Sequence, residues 1–258
     1  MVNDKMKVVI LCGGKGTRLR EETMFKPKPL VDIGGKPILW HIMKIYSHFG
    51  FKDFILCLGY KGHMIKDYFV NYDKFNFDFT LNLRKGELEF HNKNSDNWNI
   101  TFAETGENTQ TGGRIKKIEK YIKEENFLAT YGDGVSDINL NNLINFHLSK
   151  NHIATLTGFH PTSKFGILDI NNKGTVTYFQ EKPVMKDIVS GGFFVFNKGM
   201  FDYLDEECIL EREPFENLVK DKQLSVYQHK GFWGSMDTYK DLESLREKWK
   251  DTKIWKIW

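Results

Sequence analysis

The chain has 258 residues, 40% of them hydrophobic, with 37 Lys and Arg against 34 Asp and Glu and a formal net charge of +3. That apolar content is ample for a large α/β core, while the near balance of charge excludes an electrostatic footprint for nucleic acid and predicts that any phosphate site is local to a pocket. Cys12, Cys57 and Cys208 lie far apart without metal-like spacing, and neither the N-terminal Met1 to Lys5 segment nor any longer run is apolar enough for a signal core or a bilayer span, which predicts a soluble, cytoplasmic protein with no membrane partner.

In chain order, Val8 to Leu11 is apolar on both faces, as a strand is when layers cover both sides of a parallel sheet. The side chains then vanish at Gly13, Gly14 and Gly16, which lets backbone N–H groups approach a polyanion. Lys15, Thr17, Arg18, Lys26 and Lys28 add donors and charge, so the segment reads as a phosphate cradle. Its spacing departs from the dinucleotide-binding fingerprint, because Leu19 stands where a third glycine belongs, and from the P-loop, whose Lys-Ser/Thr pair is missing.

Pro37 opens a helix with an apolar stripe from Ile38 to Phe49, Phe54 to Leu58 is a second buried strand, and Met64 to Val70 reads as a short helix. Strand, helix, strand, helix predicts parallel pairing with right-handed crossovers. Between Tyr72 and Trp98 the alternation in Asp78 to Leu83 and Glu87 to His91 predicts an inserted hairpin. Asn99 to Ala103 resumes the sheet, and Thr105 to Arg114 reads as a polar, glycine-bearing loop opening onto a helix from Ile115 to Tyr121. In an open α/β sheet ligands bind beyond the carboxyl ends of the strands, so this loop and the first one can share a crevice.

Phe127 to Tyr131 is the next strand, and it ends in Gly132, Asp133 and Gly134, where the acid is either a turn residue or a hard oxygen ligand for a metal. Leu140, Leu143, Ile144 and Leu148 mark a helix, and Ile153 to Thr157 a strand. Phe165 to Ile170 and Thr175 to Phe179 form a hairpin that runs into Glu181, Lys182 and Pro183, a pair that serves either as a solvated surface or as a binding contact. Ser190 to Phe196 is predicted as one buried strand. Tyr239 to Lys250 is the last long helix, for which Asp237 is a candidate N-cap, and the tail to Trp258 packs its tryptophans either on a partner or on the same chain.

Together, Gly13 to Arg18, Lys26 to Pro29, Gly34 to His41, Gly59 to Gly62, Thr111 to Arg114, Thr130 to Gly134, Glu181 to Pro183, Gly191 to Phe194 and Phe232 to Thr238 resemble the sugar-phosphate nucleotidylyltransferases over nearly the whole chain, and within them the glucose-1-phosphate cytidylyltransferases. The resemblance implies an α/β fold: a Rossmann-like, doubly wound, mixed, mostly parallel sheet with helices on both faces and inserted β-hairpins. It implies one nucleotidylyltransferase domain over residues 1–258, with 72–98 as hairpin insertion and 223–258 as C-terminal helix and Trp-rich tail. It also implies an enzyme of lipopolysaccharide or polysaccharide biosynthesis that transfers a cytidylyl group from CTP to glucose 1-phosphate, giving CDP-glucose and pyrophosphate, or alternatively to another phosphorylated sugar or small phosphorylated metabolite, with Mg²⁺ as cofactor, in a homo-oligomer.

The same resemblance assigns roles by position. Arg18, Lys28, Asp133 and Asp237 match catalytic positions, and Asp133 and Asp237 match the Mg²⁺ ligands. Nucleotide contacts fall on Leu11, Cys12, Gly13, Gly14, Lys15, Gly16, Thr17, Arg18, Lys28, Thr109, Thr111, Gly112, Arg114, Tyr131 and Gly132, with Lys26 as an alternative to Lys28 and the Thr109 to Arg114 stretch as the reader of cytosine. Glu181, Lys182, Gly191 and Gly192 fall on the sugar-phosphate side. Two positions depart from the family pattern: Lys15 replaces a small residue or Leu, and Lys164 replaces Arg and so lacks its bidentate fork. A nucleotide-cofactor oxidoreductase is disfavoured by the glycine spacing, and a non-catalytic nucleotide-sugar sensor by the presence of Lys28, Asp133 and Asp237.

Overall fold

The computed structural model describes residues 6–92 and 94–258, so the expectation for the Met1 to Lys5 segment lies outside the described residues. The central sheet is mixed and mostly parallel. Val8–Leu11 lies at its middle, parallel to Asp53–Leu58 on one side and to Asn126–Tyr131 on the other, and Asn99–Glu104 extends it in parallel beyond Asp53–Leu58. Past Asn126–Tyr131 the Phe194–Asn197 strand runs antiparallel, followed by Ala154–Phe159 and, parallel to that, Leu224–Gln228. No helix among the described residues is long and apolar enough to cross a membrane.

Strand side chains alternate in direction, and the buried residues divide accordingly into two cores. Val8, Ile10, Phe54, Leu56, Leu58, Leu128 and Val195 join the core packed by helices Ile38–His48, Leu140–Lys150 and Tyr239–Asp251. Val9, Leu11, Ile55, Cys57, Phe127, Ala129, Phe194 and Phe196 join the opposite core, with Ile115 from helix Thr111–Lys117 and Phe215 and Leu218 from helix Glu213–Lys220. The continuous apolar runs of the central strands follow from this two-sided cover. Two hairpins, Phe79–Asn82 with Glu87–Phe90 and Ile167–Ile170 with Val176–Gln180, form separate two-stranded sheets.

Four local expectations change. The helix after the polar loop begins at Thr111, not Ile115, because Gly112 and Gly113 press against another segment: a Cβ on either would strike Cys208 or Glu206. The segment from Ser190 to Phe196 is broken into Val189–Ser190 and Phe194–Asn197, since Gly192 and Phe193 take positive φ values of 79° and 52°, which no β ladder accommodates. Asp237 is not the N-cap of the last helix; Thr238 is, in a capping box with Asp241. The insertion also carries a helical turn, Tyr72–Asn76, that alternation does not reveal.

The tail folds back on its own chain. Trp255 is fully buried, stacked on Phe232 and packed against Trp249, and its Nε1 donates to Nδ1 of His41, whose Nε2 faces the Ile33 carbonyl. Arg246 of the last helix reaches the Asp32 carbonyl and Glu22, bracing the segment that carries Lys28.

Candidate active site

The glycine loop leaves the central strand at its carboxyl end, where Cys12 N donates to Cys57 O at 3.0 Å and Tyr60 N to Gly13 O at 3.1 Å. Gly16 sits in the left-handed region at φ 61°, which turns the chain so that Thr17–Leu19 begins a helical turn. A Cβ on Gly14 would meet nothing of the protein within 4 Å, so this glycine leaves room for a ligand, whereas a Cβ on Gly13 would strike the Arg114 guanidinium.

Arg114 is 4% exposed. Its Nη1 donates to Leu58 O, Thr105 Oγ1 and Gly106 O, and its Nη2 to Gly13 O and Glu107 O. The guanidinium therefore ties the glycine loop to the ends of two neighbouring segments while lining the cavity beside them.

That cavity, about 310 Å³, lies beyond the strand ends. Of the residues expected at the nucleotide, Leu11, Cys12, Gly13, Gly14, Gly16, Thr17, Arg18, Lys28, Thr109, Thr111, Arg114, Tyr131 and Gly132 line it, together with Asp133 and Asp237. Lys15 and Gly112 do not; Lys15 points to solvent and Gly112 is buried against Cys208. Lys26 pairs with Glu22 at 3.6 Å and lines a different recess, which leaves Lys28 as the lysine of this site.

Lys28 follows Pro27 in a short helical turn, and its Nζ lies 2.5 Å from Asp133 Oδ2 and 3.0 Å from Asp237 Oδ1. Arg18 Nη2 reaches the same Asp237 oxygen at 2.8 Å, and Ser235 donates to the other. The two acids converge because Gly134–Ser136 pairs antiparallel with Trp233–Ser235, and Met236 N donates to Asp133 O at 2.9 Å. Burial opposes the charge of Lys28, but Asp133 and then Asp237 outweigh it and raise its pKa. Burial likewise opposes the Asp237 carboxylate, yet Lys28 and Arg18 hold its pKa below the ordinary value. Two hard carboxylates already sharing one cation fit a divalent metal completed by phosphate oxygens and water.

A second cavity adjoins the first and shares Arg18, Tyr131, Asp133 and Asp237 with it, so the charged cluster sits at the junction. Its far wall holds Ser190, Gly191 and Trp233. Trp233 Nε1 donates to Gly191 O at 2.8 Å and its ring stacks on Phe159, while a side chain at Gly191 would strike those same rings. Gly192 packs under Tyr131. Glu181 and Lys182 line neither cavity; they face each other at 3.5 Å on the exposed hairpin side.

The sequence signals no role for Trp233, although it lies within the Phe232 to Thr238 motif, or for Glu211. The Glu211 carboxylate accepts from Thr111 Oγ1 at 2.7 Å and from the Tyr131 hydroxyl. No local pattern around Glu211 signals this, because its partners are remote in the chain.

A family model described as "Nucleotidyl transferase" matches residues 7–256. The chain is 49% identical over 256 residues to a Bacillus subtilis protein named "Probable glucose-1-phosphate cytidylyltransferase", covering 98% of this chain and 100% of that one. It is 48% identical over 257 residues to the glucose-1-phosphate cytidylyltransferase of Salmonella typhimurium, again covering 98% and 100%. Among solved structures, HddC from Yersinia pseudotuberculosis superposes with a TM-score of 0.68 at 26% identity, over 95% of this chain and 99% of that one. With this match across nearly the full chain, on a fold whose glycine loop, lysine and paired aspartates meet at one cavity, the chain belongs to the nucleotidyl transferase family.

Proposed function

We propose that this chain, as one nucleotidylyltransferase domain, transfers a cytidylyl group from CTP to α-D-glucose 1-phosphate and releases pyrophosphate, giving CDP-glucose. The observation that carries the reading is the Lys28, Asp133 and Asp237 cluster at the junction of two cavities, in a chain about half identical to proteins of that name. One cavity takes the nucleotide along the glycine loop, and the other takes the acceptor beside Ser190, Gly191 and Trp233.

The acceptor phosphate is already ionised, so its oxygen attacks the α-phosphorus without a general base. A new P–O bond forms, the bond from the α-phosphorus to the bridging oxygen breaks, and the electron pair leaves on pyrophosphate. The obstacle is the meeting of two anions. Lys28 offers its ammonium to both phosphates, Arg18 its fork to the β- and γ-phosphates, and the glycine-loop amides hold the triphosphate. Asp133 and Asp237 would hold Mg²⁺, which supplies Lewis-acid polarisation of the α-phosphate and neutralises the leaving group.

The Thr109 to Arg114 stretch carries base recognition, and Glu181 and Lys182 serve as outer acceptor contacts. With CTP and a sugar phosphate as substrates, the proposed reaction is a cytoplasmic one. Leu168, Ile170, Val176 and Phe179 are all more than half exposed on the second hairpin, which supports a homo-oligomer that covers them; light scattering measures its size.

Pyrophosphate release with each nucleoside triphosphate against a panel of sugar 1-phosphates, with Mg²⁺ and with chelator, tests the reading. Metal-dependent release with CTP and glucose 1-phosphate supports it. Preference for another phosphorylated acceptor overturns the acceptor alone, and silence with every pair overturns catalysis.

A further inference from the structure

Thr111 and Tyr131 both line the nucleotide cavity, and one carboxylate, Glu211, holds both of their hydroxyls. Thr111 Oγ1 also accepts from Leu210 N at 3.0 Å, so with its proton on Glu211 it has one lone pair left. An ionised carboxylate accepts hydrogen bonds and donates none, so each hydroxyl must spend its proton on Glu211. What the two hydroxyls then present to the cavity is lone pairs. The ring of Tyr131 is held by Phe194, edge-on at 5.5 Å, and by Gly192 packed against it.

We infer that Glu211 is a positioning residue that sets base specificity: by holding the protons of Thr111 and Tyr131 it makes that wall of the cavity acceptor-only, selecting the 4-amino donor of cytosine over the 4-oxo acceptor of uracil. The inference rests on the cytidylyl reading above and deepens it. Uracil placed there sets oxygen against oxygen, leaving desolvated acceptors without a proton between them. A pocket that depends on a polar mismatch discriminates far better than one that depends on shape.

The Glu211→Gln variant tests this, because the amide brings donors of its own and frees a hydroxyl to turn its proton toward the cavity. The assay is kcat/KM for CTP and for UTP with glucose 1-phosphate and Mg²⁺, alongside thermal melting. The expected result is a wild-type preference for CTP that narrows about 10- to 100-fold in Glu211→Gln, mainly through better use of UTP. A merely structural role lowers both nucleotides together, and an unchanged ratio overturns the inference while leaving the cytidylyl reading intact. No preference for CTP in the wild-type protein overturns both. Tyr131→Phe is the second variant: it removes one acceptor and narrows the ratio as well, and adding Glu211→Gln to it narrows the ratio less than Glu211→Gln does alone. Additive effects of the two overturn the coupling through Tyr131.

Discussion

The nucleotide side and the acceptor side of the site are built differently. On the nucleotide side the glycine loop and the Gly132–Asp133 turn each leave a parallel strand buried on both faces, and Arg114 knits the loop ends together through their carbonyls. On the acceptor side the wall is a broken antiparallel strand, held by Trp233 and Phe159, next to a hairpin whose side chains stand in solvent. A triphosphate gains from preorganised donors, since any reorganisation adds to the barrier, and the buried sheet provides that rigidity. Glu181 and Lys182 beside that hairpin line neither cavity, and exposed charges of this kind carry little energy each.

The contrast is broken most severely at the junction. Asp133→Asn or Asp237→Asn keeps the shape and removes a charge, and turnover is expected to fall about 10²- to 10³-fold with little change in melting, as loss of one preorganised electrostatic group does elsewhere. Near-wild-type kcat at limiting Mg²⁺ in either variant would sink the metal assignment. Next comes Gly13→Ala, whose Cβ drives into the Arg114 guanidinium. Overpacking there is expected to cost about 1–3 kcal/mol of stability, read by denaturant melts, and to raise KM for CTP more than KM for the acceptor.

Acid should also act on the buried half first. His41 and His147 are buried and neutral, each with its pKa lowered by burial to about 4. A depressed pKa means that the unfolded chain takes up protons first, so stability is fully present above about pH 6.5 and is lost as the pH falls toward 4. The slope approaches about 1.4 kcal/mol per pH unit per histidine. Denaturant melts between pH 7 and 4 measure it, and a flat profile would remove the two rings as the cause. The smallest effect is expected at the hairpin: Glu181→Ala should raise the acceptor KM about threefold, the scale of one exposed charge, and leave KM for CTP alone. A tenfold or larger rise would show that the hairpin takes part in the site as strongly as the sheet does.

Most of the fold was legible because its signals are local. Val8 to Leu11, Phe54 to Leu58 and Phe127 to Tyr131 read as buried strands from side-chain character alone, and the glycines at 13, 14 and 16 marked the cradle without reference to any partner. Where a neighbour from far along the chain decides the outcome, the sequence was silent or misleading. Whether Asp237 caps a helix or faces Lys28 depended on the register of Trp233–Ser235 against Gly134–Ser136. The start of the helix at Thr111 depended on Cys208, and the role of Glu211 on Thr111 and Tyr131. Residue type and spacing determined which groups this protein has for binding phosphate. Which of them meet, Lys28 and not Lys26, Thr238 and not Asp237 at the helix start, was decided only when packing of the two cores fixed the distances between them.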